Sequence, residues 1–125
     1  MPIEENKALV RRWVELRNAH DVDEAIKLWT EHRQEGIRSA FNGFTQSFPD
    51  LHITIDDMIA EDDKVVCLWH FNATHLGTYG NIPATGNKVN WSVMDLYTIK
   101  DGKIADIIRR ADYLGLLEQL GAKLA

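Results

Sequence analysis

Apolar and polar positions along the chain change period once, near residue 50. Before that point apolar residues recur three and four apart, the spacing of one helix face; after it they alternate, the spacing of a half-buried strand. Leu9, Val10, Trp13 and Leu16, set among charged residues, predict an amphipathic helix over residues 3–18. Asp21 followed by Glu24 has the pattern of a capping box and opens a second helix, with Ala25, Ile26, Leu28 and Trp29 as its buried side. Ile37, Phe41, Phe44 and Phe48 predict a third helix over about 34–47, which Pro49 cannot continue.

The second half reads as strands. Leu51, Ile53 and Ile55 alternate with His52, Thr54 and Asp56, and residues 64–75 return after a turn at 61–63. With Asp62-Asp63 at the tip, Trp69 falls opposite Asp56 and Phe71 opposite Thr54. A loop over 76–88, rich in Gly and Pro, is expected to form a rim or lid. Asp101-Gly102 between two alternating runs predicts a tight hairpin, because both central residues of a type I′ turn take positive φ. An uninterrupted register then sets Trp91 opposite Asp112, Val93 opposite Arg110 and Asp95 opposite Ile108. Trp91, Asp95, Tyr97, Arg110 and Asp112 would share one face, an arrangement that suits a pocket wall better than plain core. A short helix over 113–120 ends at Gly121. Three helices followed by an antiparallel meander make an α+β fold, with the helices covering one face of a curved sheet.

Composition narrows the function classes. At 125 residues the chain is expected to be one domain, 1–125, and a net charge of −5 without a basic stripe argues against a nucleic-acid partner. Its apolar runs are too short to span a membrane, and MPIEENK lacks the apolar core of a secretory signal, so the expected location is cytoplasmic. The one cysteine, Cys67, reads as a small buried hydrophobe. His20, His32, His52, His70 and His75 show no metal-ligand spacing, and the loop glycines are not followed by Lys and Ser/Thr, so neither a metal nor a phosphate loop is expected.

Asp112 is the sharpest candidate for chemistry. In apolar surroundings its carboxyl could exchange a proton at the carbon beside a carbonyl, with Trp91 supplying those surroundings. It also immediately precedes Tyr113-Leu114-Gly115, so it could simply cap the last helix. Asp95 and Arg110 can form either a ligand-binding pair or a structural salt bridge, and Arg110 beside Asp112 would hold that aspartate ionised. His75, at the mouth of the loop, could contact a ligand or be merely hydrogen-bonded. Trp13, Trp69 and Trp91, with Phe41, Phe44 and Phe71, read mostly as core, and Trp13, Trp91 and Tyr97 are candidate walls of a ligand site.

Several pieces of the chain, in order, resemble the SnoaL-like polyketide cyclase family of the nuclear transport factor 2 superfold. They are Phe48-Pro49-Asp50-Leu51, Asp63-Lys64-Val65-Val66, Thr74-His75 with Gly77, Ile82-Pro83 with Thr85-Gly86, Trp91, Asp95, Asp101-Gly102-Lys103-Ile104, Asp112 and the ending Gly115-Leu116-Leu117-Glu118-Gln119-Leu120-Gly121. The resemblance implies a cone-like fold with a pocket between sheet and helices, a dimer formed through the sheets, and aldol ring closure without cofactor or metal. It places the acid/base aspartate at Asp112. Two departures stand out: the connection from Trp29 to Gly36 lacks the short strand and loop that relatives carry there, and Ile107 to Ala111 replaces residues that are often polar or aromatic. The expected function is therefore a cofactor-independent cyclase or isomerase acting on a small apolar carbonyl compound. The alternative is a non-catalytic ligand-binding or structural dimer whose site is lost with the shortened segment. The predicted dimer surface is an apolar patch of Met94, Leu96, Ala105 and Ile107, and the tight connection could favour exchange of elements between protomers.

Overall fold

The computed structural model describes residues 2–122. The helical half comprises α1 (Pro2–Asn18), α2 (Val22–Ile26), a 3-10 turn (Glu31–Arg33) and α3 (Gln34–Ser47). The strand half follows as β1 (His52–Glu61), β2 (Lys64–Thr74), β3 (Lys88–Lys100) and β4 (Lys103–Ala111), closed by α4 (Tyr113–Gln119). The four strands pair antiparallel in chain order, a meander with the helices packed on one face. The fold is α+β, with three N-terminal helices on a curved sheet and a short C-terminal helix.

Local chemistry explains the element boundaries. Asp21 caps α2 by accepting a hydrogen bond from the Glu24 amide at 3.2 Å. The turn before it takes positive φ at His20. α1 ends at Asn18, whose amide side chain donates to the Ile53 carbonyl at 2.9 Å and accepts from the Ile53 amide at 2.7 Å. One side chain thus imitates a neighbouring strand and ties edge strand β1 to the helical layer. Gly77 lies against the end of α3: a β-carbon there would stand 1.9 Å from the Gln46 carbonyl oxygen, so only glycine permits this approach.

Both hairpin tips fall where the sequence puts them, at Glu61↔Lys64 and Lys100↔Lys103. Asp101 and Gly102 take φ of 51° and 75°, as a type I′ turn requires. Beyond each tip, however, one extra residue enters one strand. In β1 the register shifts between Ile55 and Asp57, so Trp69 pairs with Ile55 and Phe71 with Ile53, not with Asp56 and Thr54. In β4 it shifts after the Ile99↔Ile104 pair, leaving Ala105 as the added residue. From there Thr98 faces Asp106, Asp95 faces Arg109 and Val93 faces Ala111. The expected pairing of Trp91 with Asp112, Val93 with Arg110 and Asp95 with Ile108 is therefore wrong by one residue, and everything past Ala105 changes face.

The short connection after α2 is resolved within the chain. Trp29 forms a single parallel bridge to Ile104 on the outer edge of β4. The Thr30 amide donates to the Ile104 carbonyl at 2.9 Å and the Ile104 amide to the Leu28 carbonyl at 2.8 Å. A one-residue bridge thus covers the β4 edge where a short strand was expected to be missing.

The core fills the space between the helices and the sheet's inner face. Trp29, Trp69, Tyr97, Phe48 and Phe71 are completely buried, stacked edge-to-face or tilted at ring separations of 5.3 to 6.4 Å along with Trp13, Trp91 and Phe44. Burying a large side chain of this kind contributes about 2–3 kcal/mol, so this aromatic tier dominates the stability of the fold.

Candidate functional site

A pocket of about 200 Å³ opens between α1, α3 and β4. Trp13, Trp29, Phe41 and Phe44 form its aromatic walls, Ile37, Ala40 and Ile107 its rim, and Arg17 and Arg109 are its two charged groups. The sequence builds it from two features. Trp13 and Arg17 lie one helical turn apart on the buried stripe of α1. The bulge at Ala105 turns Ile107 and Arg109 inward and Ile108 and Arg110 outward.

Behind the pocket floor lies a buried polar cluster. Asp95 is fully buried, and Arg109 grips it with both arms, Nε to Oδ1 and Nη2 to Oδ2, each at 2.8 Å. The Tyr97 hydroxyl donates to Asp95 Oδ2 at 3.2 Å and accepts from Trp13 Nε1, also at 3.2 Å. Burial works to lower the Arg109 pKa, but the hydrogen bonds and charge of Asp95 outweigh it, so the guanidinium is held above its ordinary value. Burial, followed by the charge of Asp95, pushes the Tyr97 phenol well up, and the group stays neutral. Arg17 differs. Only 7% exposed, it lies over the rings of Phe71, Trp13 and Phe44 at 5.1, 5.4 and 5.7 Å. Its Nη1 has no hydrogen-bond partner among the described residues. Burial, then the nearby charge of Arg109, lowers its pKa to about 10, which still leaves it charged at neutral pH.

The residues expected to form a site divide accordingly. Trp13 lines the pocket, while Asp95 and Tyr97 form the cluster behind it. Asp95 meets an arginine, but it is Arg109; Arg110 is exposed and bonds only the Arg109 carbonyl. Asp112 is also exposed. Its amide pairs with the Ser92 carbonyl at 3.0 Å, which puts it on the outer face, away from Trp91. Its carboxylate caps α4 by accepting from the Gly115 amide at 2.9 Å. Trp91 is buried against Phe48 and Phe71 and does not line the pocket.

His75 is fully buried as well. Its Nδ1 accepts from the Thr85 amide at 3.1 Å, which places the ring proton on Nε2. The backbone on either side closes the loop, His75 amide to Asn87 carbonyl at 2.9 Å and Gly86 amide to His75 carbonyl at 2.8 Å. The segment expected as a lid is thus clamped at its base, and none of its residues lines the pocket.

Two residues that matter here were missed. Arg17 was legible, since it continues the Val10, Trp13, Val14 stripe of α1 and a charge on an apolar stripe is a signal. Arg109 was hidden by the bulge. Burial pushes the Cys67 thiol up to about 12, which leaves almost no thiolate nucleophile at neutral pH. A larger concavity of about 320 Å³ lies at the sheet end, lined mostly by polar and charged residues such as Asp50, Thr74 and Lys88. There Asp50 is already bonded to the Thr74 amide and hydroxyl at 2.7 and 2.6 Å, so the smaller apolar pocket is the better site. Among the described residues no cluster of His, Cys, Asp or Glu is placed to hold a metal ion, and no helix is long and apolar enough to cross a membrane.

Residues 7–120 match the family model for SnoaL-like polyketide cyclases. The chain belongs to that family. TsrD from Streptomyces laurentii shares 27% identity over 96% of this chain and 97% of its own, with a TM-score of 0.87. AclR from Streptomyces galilaeus, a candidate hydroxylase, shares 25% over 98% and 86%, with a TM-score of 0.88. A candidate SnoaL-like polyketide cyclase from Jannaschia sp. CCS1, at 19% identity over 99% and 97%, has a TM-score of 0.89 and speaks for the fold alone. Among curated proteins, none matches the sequence.

Proposed function

We propose that this cyclase-family chain binds a compact, largely apolar carbonyl compound of polyketide type in the pocket between α1, α3 and β4. The observation that carries this reading is the pocket's composition: aromatic walls with, among the described residues, two guanidinium groups as the charged lining. Such a site holds a flat molecule by stacking and polarises an oxygen that reaches the arginines. At about 200 Å³ it suits one or two rings rather than an extended chain.

Asp112 receives no support from its position as an acid/base group, and among the described residues no carboxylate lines the pocket, Asp95 behind it being held at both oxygens by Arg109. The contribution this pocket could make to ring closure or isomerisation is electrostatic, stabilising the enolate oxygen that such reactions develop. A homodimer fits the sheet's outer face, where Met94 and Ile108 are each about half exposed. The bulge makes that patch Met94, Leu96 and Ile108; Ile107, expected there, turns to the pocket.

The test is titration with 2-acetonaphthone, a neutral aromatic ketone, followed by tryptophan fluorescence, since Trp13 and Trp29 both line the pocket. Saturable quenching is expected in the native chain and in Asp112→Asn. Loss is expected in Ala40→Trp, which plugs the mouth from an exposed position. Binding that survives the plug would place the ligand elsewhere and defeat the proposal.

A further inference from the structure

The interior beneath the pocket brings two arginines to one carboxylate, and the carboxylate pairs with only one of them. Arg109 occupies both Asp95 oxygens at 2.8 Å, and the Tyr97 hydroxyl adds a third bond at 3.2 Å. The single negative charge of Asp95 is thus paired with Arg109, and no hydrogen bond joins Asp95 to Arg17 among the described residues. Arg17 forms no salt bridge among the described residues, yet it is 7% exposed and its Nη1 has no partner. The rings of Phe71, Trp13 and Phe44 compensate part of its desolvation. A ring face supplies no hydrogen-bond acceptor oxygen, however, and an uncompensated buried charge normally costs a protein several kcal/mol. The position lies on the apolar stripe of α1, one turn after Trp13, where a leucine or methionine would serve packing better. The cluster therefore carries one net positive charge in the wall of an otherwise apolar pocket, and a single anion would neutralise it.

We infer that the pocket is a receptor for an aromatic monocarboxylate, its carboxylate accepting hydrogen bonds from Arg17 and its ring lying among Trp13, Trp29, Phe41 and Phe44. This rests on the reading of the pocket as the ligand site. The two arginines divide the work. Arg109 pairs with Asp95 and balances its charge, and Arg17 presents the remaining charge to the ligand. A carboxylate is favoured over a phosphate because the pocket offers one uncommitted guanidinium, enough for a planar monoanion and too little for a dianion.

The experiment compares 2-naphthoate with 2-naphthamide, which has nearly the same shape and no charge, on the full chain at neutral pH by tryptophan fluorescence and calorimetry. The native chain is expected to bind the naphthoate roughly tenfold or more tightly than the amide, as befits a charge-assisted hydrogen bond in a buried site. Arg17→Met, which keeps the bulk of the side chain, should abolish that preference, bringing the naphthoate affinity down to that of the amide in the same variant. Arg17→Lys should retain part of it and also guards against a folding defect in the methionine variant, with near-ultraviolet circular dichroism reporting intact packing. Equal affinity for the two probes in the native chain, or a preference that survives Arg17→Met, overturns the assignment while leaving the pocket as a ligand site. Binding of neither probe, nor of the neutral ketone, overturns the pocket reading together with this one.

Discussion

The two hairpins are built alike and do different things. Each has a two-residue tip and a single added residue in its outer strand, Asp56 in β1 and Ala105 in β4. In the first hairpin the added residue stays at the surface. Asp56 pairs with the His70 ring on the outer face, and the strand resumes with Met58 and Ala60 half-buried. In the second the same device decides the site. It turns Arg109 onto Asp95, sends Arg110 to solvent and carries Asp112 out to cap α4. A bulge is a change of phase, and its consequence depends on which side chains lie beyond it.

The contrast can be broken most severely at the buried pair. Arg109→Met leaves the Asp95 carboxylate without its cation and should cost about 3–5 kcal/mol in denaturant titration, whereas Arg110→Met should stay within about 0.5 kcal/mol. Equal losses would mean that the register past Ala105 is not the one described. The neighbouring isoleucines sharpen the same point at a smaller scale. Ile107→Ala removes pocket lining and should cost about 2 kcal/mol, while Ile108→Ala, on the outer face, should cost under about 0.5 kcal/mol in a monomeric chain. If the outer face pairs two copies, Ile108→Ala will instead weaken the dimer, which light scattering would detect.

At the far end of β4, Asp112→Ala should lose about 1 kcal/mol of cap stability and Asp112→Asn almost none, with ketone binding unchanged in both. Impaired binding in Asp112→Asn would return that residue to the site. The smallest effect belongs to the first hairpin. Asp56→Asn breaks a surface pair with His70 and should change stability by less than about 1 kcal/mol. A larger loss would show that the β1 bulge does more than bend the strand.

Each bulge left a different trace in the sequence. The first was legible in principle: Ile53 and Ile55 alternate in one phase and Met58 and Ala60 in the other, with two aspartates at the change. A strict count back from the tip overlooked it. The second was concealed because β4 doubles its residues. Ile107-Ile108 and Arg109-Arg110 present the same pattern in either phase, so periodicity cannot choose between them. His75 was ambiguous for another reason, since nothing local says whether a strand-end histidine faces a ligand or, as here, accepts the Thr85 amide that closes its own loop.

The sequence by itself determined the element order, the α+β class, both hairpin tips, the Asp21 cap and the family. Each of these rests on interactions within a few residues or on a pattern of period, and such information is local. The register beyond Ala105 was decided by tertiary structure. An uninterrupted β4 would turn Asp106, Arg110 and Asp112 inward together, and burying unpaired ions costs several kcal/mol each. A bulge forfeits about one ladder hydrogen bond, roughly 1 kcal/mol. It leaves a single inward charge on β4, Arg109, directly opposite Asp95. Only the folded sheet, with Asp95 already buried on the neighbouring strand, holds the partner that makes that choice the stable one.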